Sequence, residues 1–362
     1  MKVAYILGSL NRGGLEGLYL DLFRYAEHCP YEMVCVYRKN GSYLEDFKAT
    51  GVKMIHLPSR GLTDVHYLRE LRRLLMAEKV DVIHVQFSED VIRTRLAMIG
   101  HQIPIVLTTH AFDYHVGKIT RTIIWLSFRM TKVNIFVSDF QRKHFEKRYR
   151  IQYKQNAVVY NCVDVSKLDG NITLQEALPQ VHRGIKIGMV GNFVRGRNQY
   201  ALMPFLKHLH DKKVPFDFYF VGFRDVHIPE RYDKCVAYCK ENGLEEVHFL
   251  GGRGDVPAIL KESDALVYST EHDTFGIAVL EAIAAGVPVF VNDWDVMTEI
   301  TQNGHWATIY RTGDMQDLAK KFDEFLNNKE SYRNKAQADA AEVRKVYGVE
   351  RFSKELLKMY EV

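Results

Sequence analysis

A chain of 362 residues, 47% hydrophobic and 26% charged, is long enough for two ordinary cores and too apolar for extended disorder. No run of about 18 apolar residues occurs; the nearest, residues 119–137, is interrupted by Arg121, Arg129 and Lys132, so no membrane-crossing helix is expected. The net charge of +4 is uneven, with 25 Lys and Arg against 18 Asp and Glu in residues 1–180, and nine against three in residues 101–150.

That basic excess admits two readings, a solvated helical face or a surface for an anionic membrane or acceptor. Nucleic acid is not expected, because no recognition motif or aromatic stacking platform accompanies the charge. The five cysteines are scattered, and Cys235 and Cys239, four apart, lack a second pair with ligand spacing. Reduced thiols and no metal site are the expectation, in a cytoplasmic protein peripheral at most on the inner face of a membrane.

In chain order, β-branched runs recur at residues 2–7, 32–37, 52–57, 82–85, 103–108, 133–137 and 157–160. Between them lie amphipathic segments; Tyr67–Leu75 sets Leu68, Leu71, Leu74 and Leu75 against Arg69, Arg72 and Arg73. Parallel strands need crossover helices, so this alternation predicts a doubly wound sheet covered on both faces. A polar stretch, residues 166–184, is followed by a second series at 185–190, 216–221, 247–250, 265–268, 287–291 and 306–310. The α/β pattern therefore predicts two Rossmann-like domains, 1–180 and 184–344, with a last helix near 345–362 packing back on the first. Open α/β sheets bind ligands beyond the carboxyl ends of their strands, so a cleft between two facing domains is the expected site.

Three turns carry chemistry. After the first strand comes Gly8-Ser-Leu-Asn-Arg-Gly13-Gly14-Leu-Glu16, where glycines let backbone N–H groups and a helix start approach a phosphate. It is neither a P-loop nor a dinucleotide fingerprint, and a ligand-free tight turn would also use Gly-Gly. The corresponding turn of the second domain is Gly191-Asn192-Phe193-Val194-Arg195-Gly196-Arg197, with two guanidiniums suited to a diphosphate. The third, Asp273-Thr274-Phe275-Gly276, leads into an apolar helix that carries Glu281 and stops at Gly286 before Pro288. A carboxylate on such a helix needs a partner, and ligand hydroxyls would supply one.

The third segment resembles the paired-acid motif of family 4 retaining glycosyltransferases, Glu, seven residues, Glu, then Ala-Met-Ala-x-Gly-x-Pro-Val. Gly13-Gly14-Leu-Glu16 is similar to the family's Gly-Gly-x-Glu loop, and Asp81-Val-Ile-His84 to its Asp-Val-Val-His strand. Thr109-His110, Val137-Ser138, Asn161-Cys-Val-Asp164 and Phe249-Leu-Gly251 match in order and spacing, so the likeness runs along nearly the whole chain.

The resemblance implies a GT-B fold and a nucleotide-diphosphate sugar as co-substrate, with no metal and a glycan or lipid-linked acceptor. By the same resemblance, Gly13 and Gly14 approach the donor diphosphate, Arg197 replaces the family's Lys there, and His110 lies beside the transferred sugar. Asp273 takes sugar hydroxyls, Thr274, Phe275 and Gly276 offer backbone N–H groups, and Glu281 takes the ribose. Two departures stand out: Asp273 replaces the first Glu, and Asn192 replaces an Arg, with Arg195 in a position to compensate. Retention on one face of the sugar would need orientation and electrostatic stabilisation rather than two catalytic carboxylates. A nucleotide-sugar epimerase or hydrolase, or a binding subunit without turnover, fits the same residues.

Overall fold

The computed structural model describes residues 1–170 and 172–361. It divides into two units, Met1–Cys162 with Tyr347–Val362, and Val163–Val346.

The first unit holds β1 (Lys2–Ser9), β2 (Glu32–Lys39), β3 (Lys53–His56), β4 (Val82–Val85), β5 (Ile105–Thr109), β6 (Val133–Phe136) and β7 (Gln155–Val158). They form one parallel sheet in the order β3-β2-β1-β4-β5-β6-β7. Every residue of β4 and β6 is buried, as strands covered on both faces must be. The helix Val65–Ala77 supplies part of that cover. Asp64 caps it by accepting the Tyr67 N–H at 3.2 Å, and Tyr67, Leu71 and Leu75 bury one face against the sheet.

The second unit holds β8 (Ile185–Val190), β9 (Phe216–Val221), β10 (Val247–Gly251), β11 (Ala265–Tyr268), β12 (Val289–Asn292) and β13 (Thr308–Tyr310). Their order, β10-β9-β8-β11-β12-β13, reverses direction beside β8, just as the first sheet reverses beside β1. Such switch points leave room at the carboxyl ends of the central strands.

The division falls earlier than the polar stretch 166–184 suggests. Residues 163–180 belong with the second unit because they satisfy groups there. Buried Asp255 accepts the Gln175 N–H at 2.6 Å, Leu178 packs with Tyr219, Val221 and Ile259, and the Tyr219 hydroxyl donates to Pro179 O at 3.0 Å.

The helix Val349–Tyr360 lies on the first unit. Its anchor is the Tyr360 hydroxyl, 2.8 Å from the Tyr5 hydroxyl and 2.7 Å from His84 Nδ1; His84 Nε2 reaches Thr108 Oγ1 at 2.7 Å. Arg351 adds bonds to the carbonyls of Tyr160 and Asn161 at 2.7 and 3.1 Å. The preceding helix, Lys329–Val346, stays on the second unit, where Arg344 donates to Ala284 O at 2.7 Å.

Burial, with a smaller effect from neighbouring His110, pushes His84 down to about 3 from its ordinary 6.5. The folded chain therefore holds His84 neutral where the unfolded chain would protonate it. Stability is full above about pH 6.5 and falls as pH drops toward 3, by about 1.4 kcal/mol per pH unit for one such site. Thermal unfolding at pH 7 and pH 5 should show a smaller loss of Tm in His84→Gln than in the wild type. Equal losses would remove His84 as a source of acid lability.

Candidate functional site

In the second unit the turn after β8 and the turn after β11 are sewn together. The Thr270 hydroxyl donates to Gly196 O at 2.7 Å, Glu271 N–H to the same carbonyl at 2.7 Å, and Asn198 N–H to Ser269 O at 3.1 Å. Asn292, at the end of β12, fixes Thr270 from the other side: its Oδ1 accepts the Thr270 N–H and its Nδ2 donates to Thr270 O, both at 2.9 Å. Arg231 ties the same place by donating to Arg197 O at 2.7 Å.

This framework sets Arg197 beside Asp273. The guanidinium pairs with Asp273 Oδ2, which also accepts the Tyr268 hydroxyl at 2.6 Å. The Arg197 guanidinium stands 5.2 Å from the centre of the Tyr268 ring. Gly191 makes room for it, since a Cβ there would stand 2.7 Å from Arg197 Nε. A cation suited to phosphate and an acid suited to hydroxyls thus hold each other, and an anion entering here competes with Asp273 for Arg197.

The other expected residues have distinct places. Arg195 is exposed on the same turn. The Asn192 amide oxygen accepts the Phe223 N–H at 2.8 Å, so this side chain links the turns after β8 and β9. Thr274 is half-buried and the Phe275 ring is buried. Gly276, at a left-handed φ of 92°, caps the helix Ile277–Ala284 with no side-chain acceptor on its first turn. Asp273 lies before that cap, and Glu281 is half-buried on the helix among buried Val279, Leu280, Ala282 and Ile283. Free N–H groups at such a helix start favour negative charge.

In the first unit, Gly13 caps the helix Gly14–Arg24, again without a side-chain cap. Glu16 folds back over it: a Cβ on Gly13 would stand 2.6 Å from Glu16 Oε2. Burial raises the Glu16 carboxyl above its ordinary value, opposed by hydrogen bonds from its own N–H and the Ser9 hydroxyl. His110 follows β5, with Nε2 2.9 Å from Gln86 Oε1, which also accepts the Tyr19 hydroxyl. That carbonyl oxygen makes Nε2 the protonated nitrogen, and burial lowers His110 to about 3, so the ring is neutral at neutral pH.

Sequence reasoning did not find Tyr268, Thr270, Asn292, Arg231, Tyr19 or Gln86. Asn292 and Gln86 carried a signal, a polar side chain directly at the end of an apolar strand; the others had none. Among the described residues no three His, Cys, Asp or Glu side chains gather as a metal site. Cys235 and Cys239 lie buried on the helix Glu230–Asn242.

The same architecture is found in solved structures. Over 100% of this chain and 99% of its own, the Anabaena HepE structure, in complex with UDP and glucose, superposes with a TM-score of 0.84 at 17% identity. The two sheets, each open at the carboxyl ends of its central strands, place the fold in the GT-B class of two-domain glycosyltransferases. Residues 12–167 match the profile Glycosyltransferase Family 4, and residues 172–342 match Glycosyl transferases group 1. The chain belongs to the family 4 glycosyltransferases.

Among curated proteins it is 24% identical over 310 residues to the UDP-Gal:alpha-D-GlcNAc-diphosphoundecaprenol alpha-1,3-galactosyltransferase of Escherichia coli, covering 81% of this chain and 79% of that one. It is also 24% identical over 288 residues to the N-acetyl-alpha-D-glucosaminyl L-malate synthase of Bacillus anthracis, covering 75% and 72%.

The family resemblance gives Asp273 and Glu281 different partners, and the ion pair of Asp273 with Arg197 makes that difference testable. Asp273→Ala should leave affinity for a free nucleoside diphosphate unchanged or raised, because Arg197 is released, and should weaken the intact sugar donor. Glu281→Ala should weaken both, and Arg197→Ala should cost about 2–4 kcal/mol in transfer. Calorimetry with free nucleotide and intact donor checks this. Equal losses of both ligands in Asp273→Ala would show that Asp273 does not read the sugar.

Proposed function

We propose that the chain is a retaining, metal-independent glycosyltransferase that moves a sugar from a nucleotide-diphosphate sugar to a glycan or lipid-linked acceptor in surface polysaccharide or glycoconjugate synthesis. The observation that carries this reading is the Arg197–Asp273 pair beside the uncapped start of the helix Ile277–Ala284. It brings a cation suited to phosphate, an acid suited to hydroxyls and helix N–H groups onto adjoining turns, which supports this reading.

In this mechanism the bond from the anomeric carbon to the diphosphate breaks as the acceptor oxygen bonds on the same face. The acceptor's proton passes to the departing diphosphate oxygen. Arg195, Arg197 and the helix start stabilise the charge, in place of a divalent cation. A neutral His110 supports this scheme, because it serves as a hydrogen-bonding wall of the sugar site and carries no proton away. Asp293, the first acid of Asp293-Trp294-Asp295, is committed to Thr312, whose N–H and hydroxyl it accepts at 2.8 and 2.6 Å. The lipid-linked acceptor named for the Escherichia coli relative supports the same acceptor class here.

Membrane proximity is the companion proposal. Among the described residues no helix is long and apolar enough to cross a membrane. The helix Lys118–Met130 nevertheless exposes Ile119 at 80%, Trp125 at 42%, Leu126 and Met130, among Lys118, Arg121 and Arg129. Phe128 of the same helix is fully buried in the core, and Ile124 packs against that core. An amphipathic helix with this pattern suits an anionic bilayer.

Turnover should survive excess EDTA, and NMR of the product should show the donor's anomeric configuration kept. Loss of turnover that Mg²⁺ or Mn²⁺ restores, or an inverted product, would overturn the mechanism.

Sedimentation with anionic vesicles should show binding that falls with salt and is lost in Trp125→Glu. Equal affinity for neutral vesicles would leave the basic face as a solvated surface.

A further inference from the structure

The first unit contains a cavity of about 480 Å³ at the carboxyl ends of β1, β2 and β4. Its charge is unusual. Arg38, from the end of β2, and Arg93, from the helix Ser88–Ala97, both bond the same oxygen, Asp90 Oδ1. Asp90 is 1% exposed, while the two guanidiniums are 15% and 14% exposed and line the cavity. One buried carboxylate therefore holds two cations in place and neutralises one. Both guanidiniums thus rest on Asp90 Oδ1, while Oδ2 has no hydrogen-bond partner among the described residues. Lys39 and Arg60 line the same cavity, are exposed, and form no ion pair among the described residues.

Against these four cations stand Asp90 and the lining acids Glu16 and Glu89, of which Glu16 is favoured toward its neutral form by burial. Exposed Phe87 supplies an apolar wall on which a sugar ring or lipid stem can lie. The volume is in the range of small-ligand pockets, about 300–1,000 Å³. A partly buried, hydrogen-bonded arginine pair with surplus charge is suited to the fork geometry of phosphate and carboxylate.

We infer that this cavity binds the acceptor through an anionic group, a phosphate or a carboxylate, held by Arg38 and Arg93 and drawn in by Lys39 and Arg60. That the anion belongs to an acceptor rests on the transfer reaction proposed above; the anion site itself does not.

The test is calorimetry of the full chain saturated with UDP or GDP, so that the second unit's phosphate site is filled. The probes are phenyl phosphate, benzoate and the neutral phenyl glucoside. At least one anionic probe should bind at one per chain, ten-fold or more tighter than the glucoside. Its affinity should fall ten-fold or more in Arg38→Gln and in the double variant Lys39→Gln/Arg60→Gln, whose exposed positions leave folding intact. Preference for phenyl phosphate assigns a phosphate-bearing acceptor, and preference for benzoate an acidic sugar. Equal affinity for the neutral probe, or unchanged affinity in the double variant, overturns the inference. Failure of the transfer reading appears separately, as binding of neither nucleotide, and the variants still read the cavity in that case.

Discussion

Thr270 is the fastening on which the second unit's site depends. Arg197 and Asp273 belong to turns more than 70 residues apart in sequence, and neither turn has regular structure to hold it. What sets them side by side is the Thr270 hydroxyl and the Glu271 N–H on one carbonyl, Gly196 O, with Asn292 clasping Thr270 through both amide atoms. Thr270, Asn292 and Gly196 are buried, so the bonds among them form away from competing water and each unmade one would cost a desolvated polar group. The geometry of a loop site is thereby set by three strand ends, β8, β11 and β12, as firmly as a site built on the strands themselves.

The first unit solves a different problem. Its central strands carry Tyr5 and His84 inward, polar side chains that are wholly buried. The Tyr360 hydroxyl meets both, and Thr108 takes the far side of the imidazole. The polar cluster specifies where the last helix docks more sharply than an apolar stripe could, because a displaced helix would strand three buried groups. Burial keeps both His84 and His110 uncharged, so these rings contribute hydrogen bonds and shape rather than charge.

Much of the fold was legible because short β-branched runs between glycine and polar punctuation can be little else than buried parallel strands; the thirteen strands among the described residues all overlap such runs. The unit boundary was not. The polar stretch looks like a linker because its side chains have no periodicity, and its attachment comes from the Gln175 N–H to Asp255, the Tyr219 hydroxyl to Pro179 O and the packing of Leu174 and Leu178. In the site, glycine turns and acids announced themselves, and the structure brings Arg197 and Asp273 together. Their supports did not: Tyr268 and Thr270 look like ordinary strand-end residues until the sheet order puts β11 between β8 and β12. The Asn192 amide oxygen accepts the Phe223 N–H, a contact that its place after Gly191 does not announce.

The return of the helix Val349–Tyr360 to the first unit sets an order on folding during synthesis. The second unit is continuous from Val163 to Val346 and can close as soon as it has emerged. The first unit, although made earlier, must wait for nearly 200 further residues before Tyr360 reaches Tyr5 and His84. At about 5–20 residues per second that delay is about 10–40 s. Throughout it, the face of the first sheet that will receive the helix stands open on the ribosome, with its tyrosine and histidine hydrated and its apolar neighbours uncovered. The half of the chain translated first is therefore the half completed last, and it is the half a nascent-chain chaperone would have to shield.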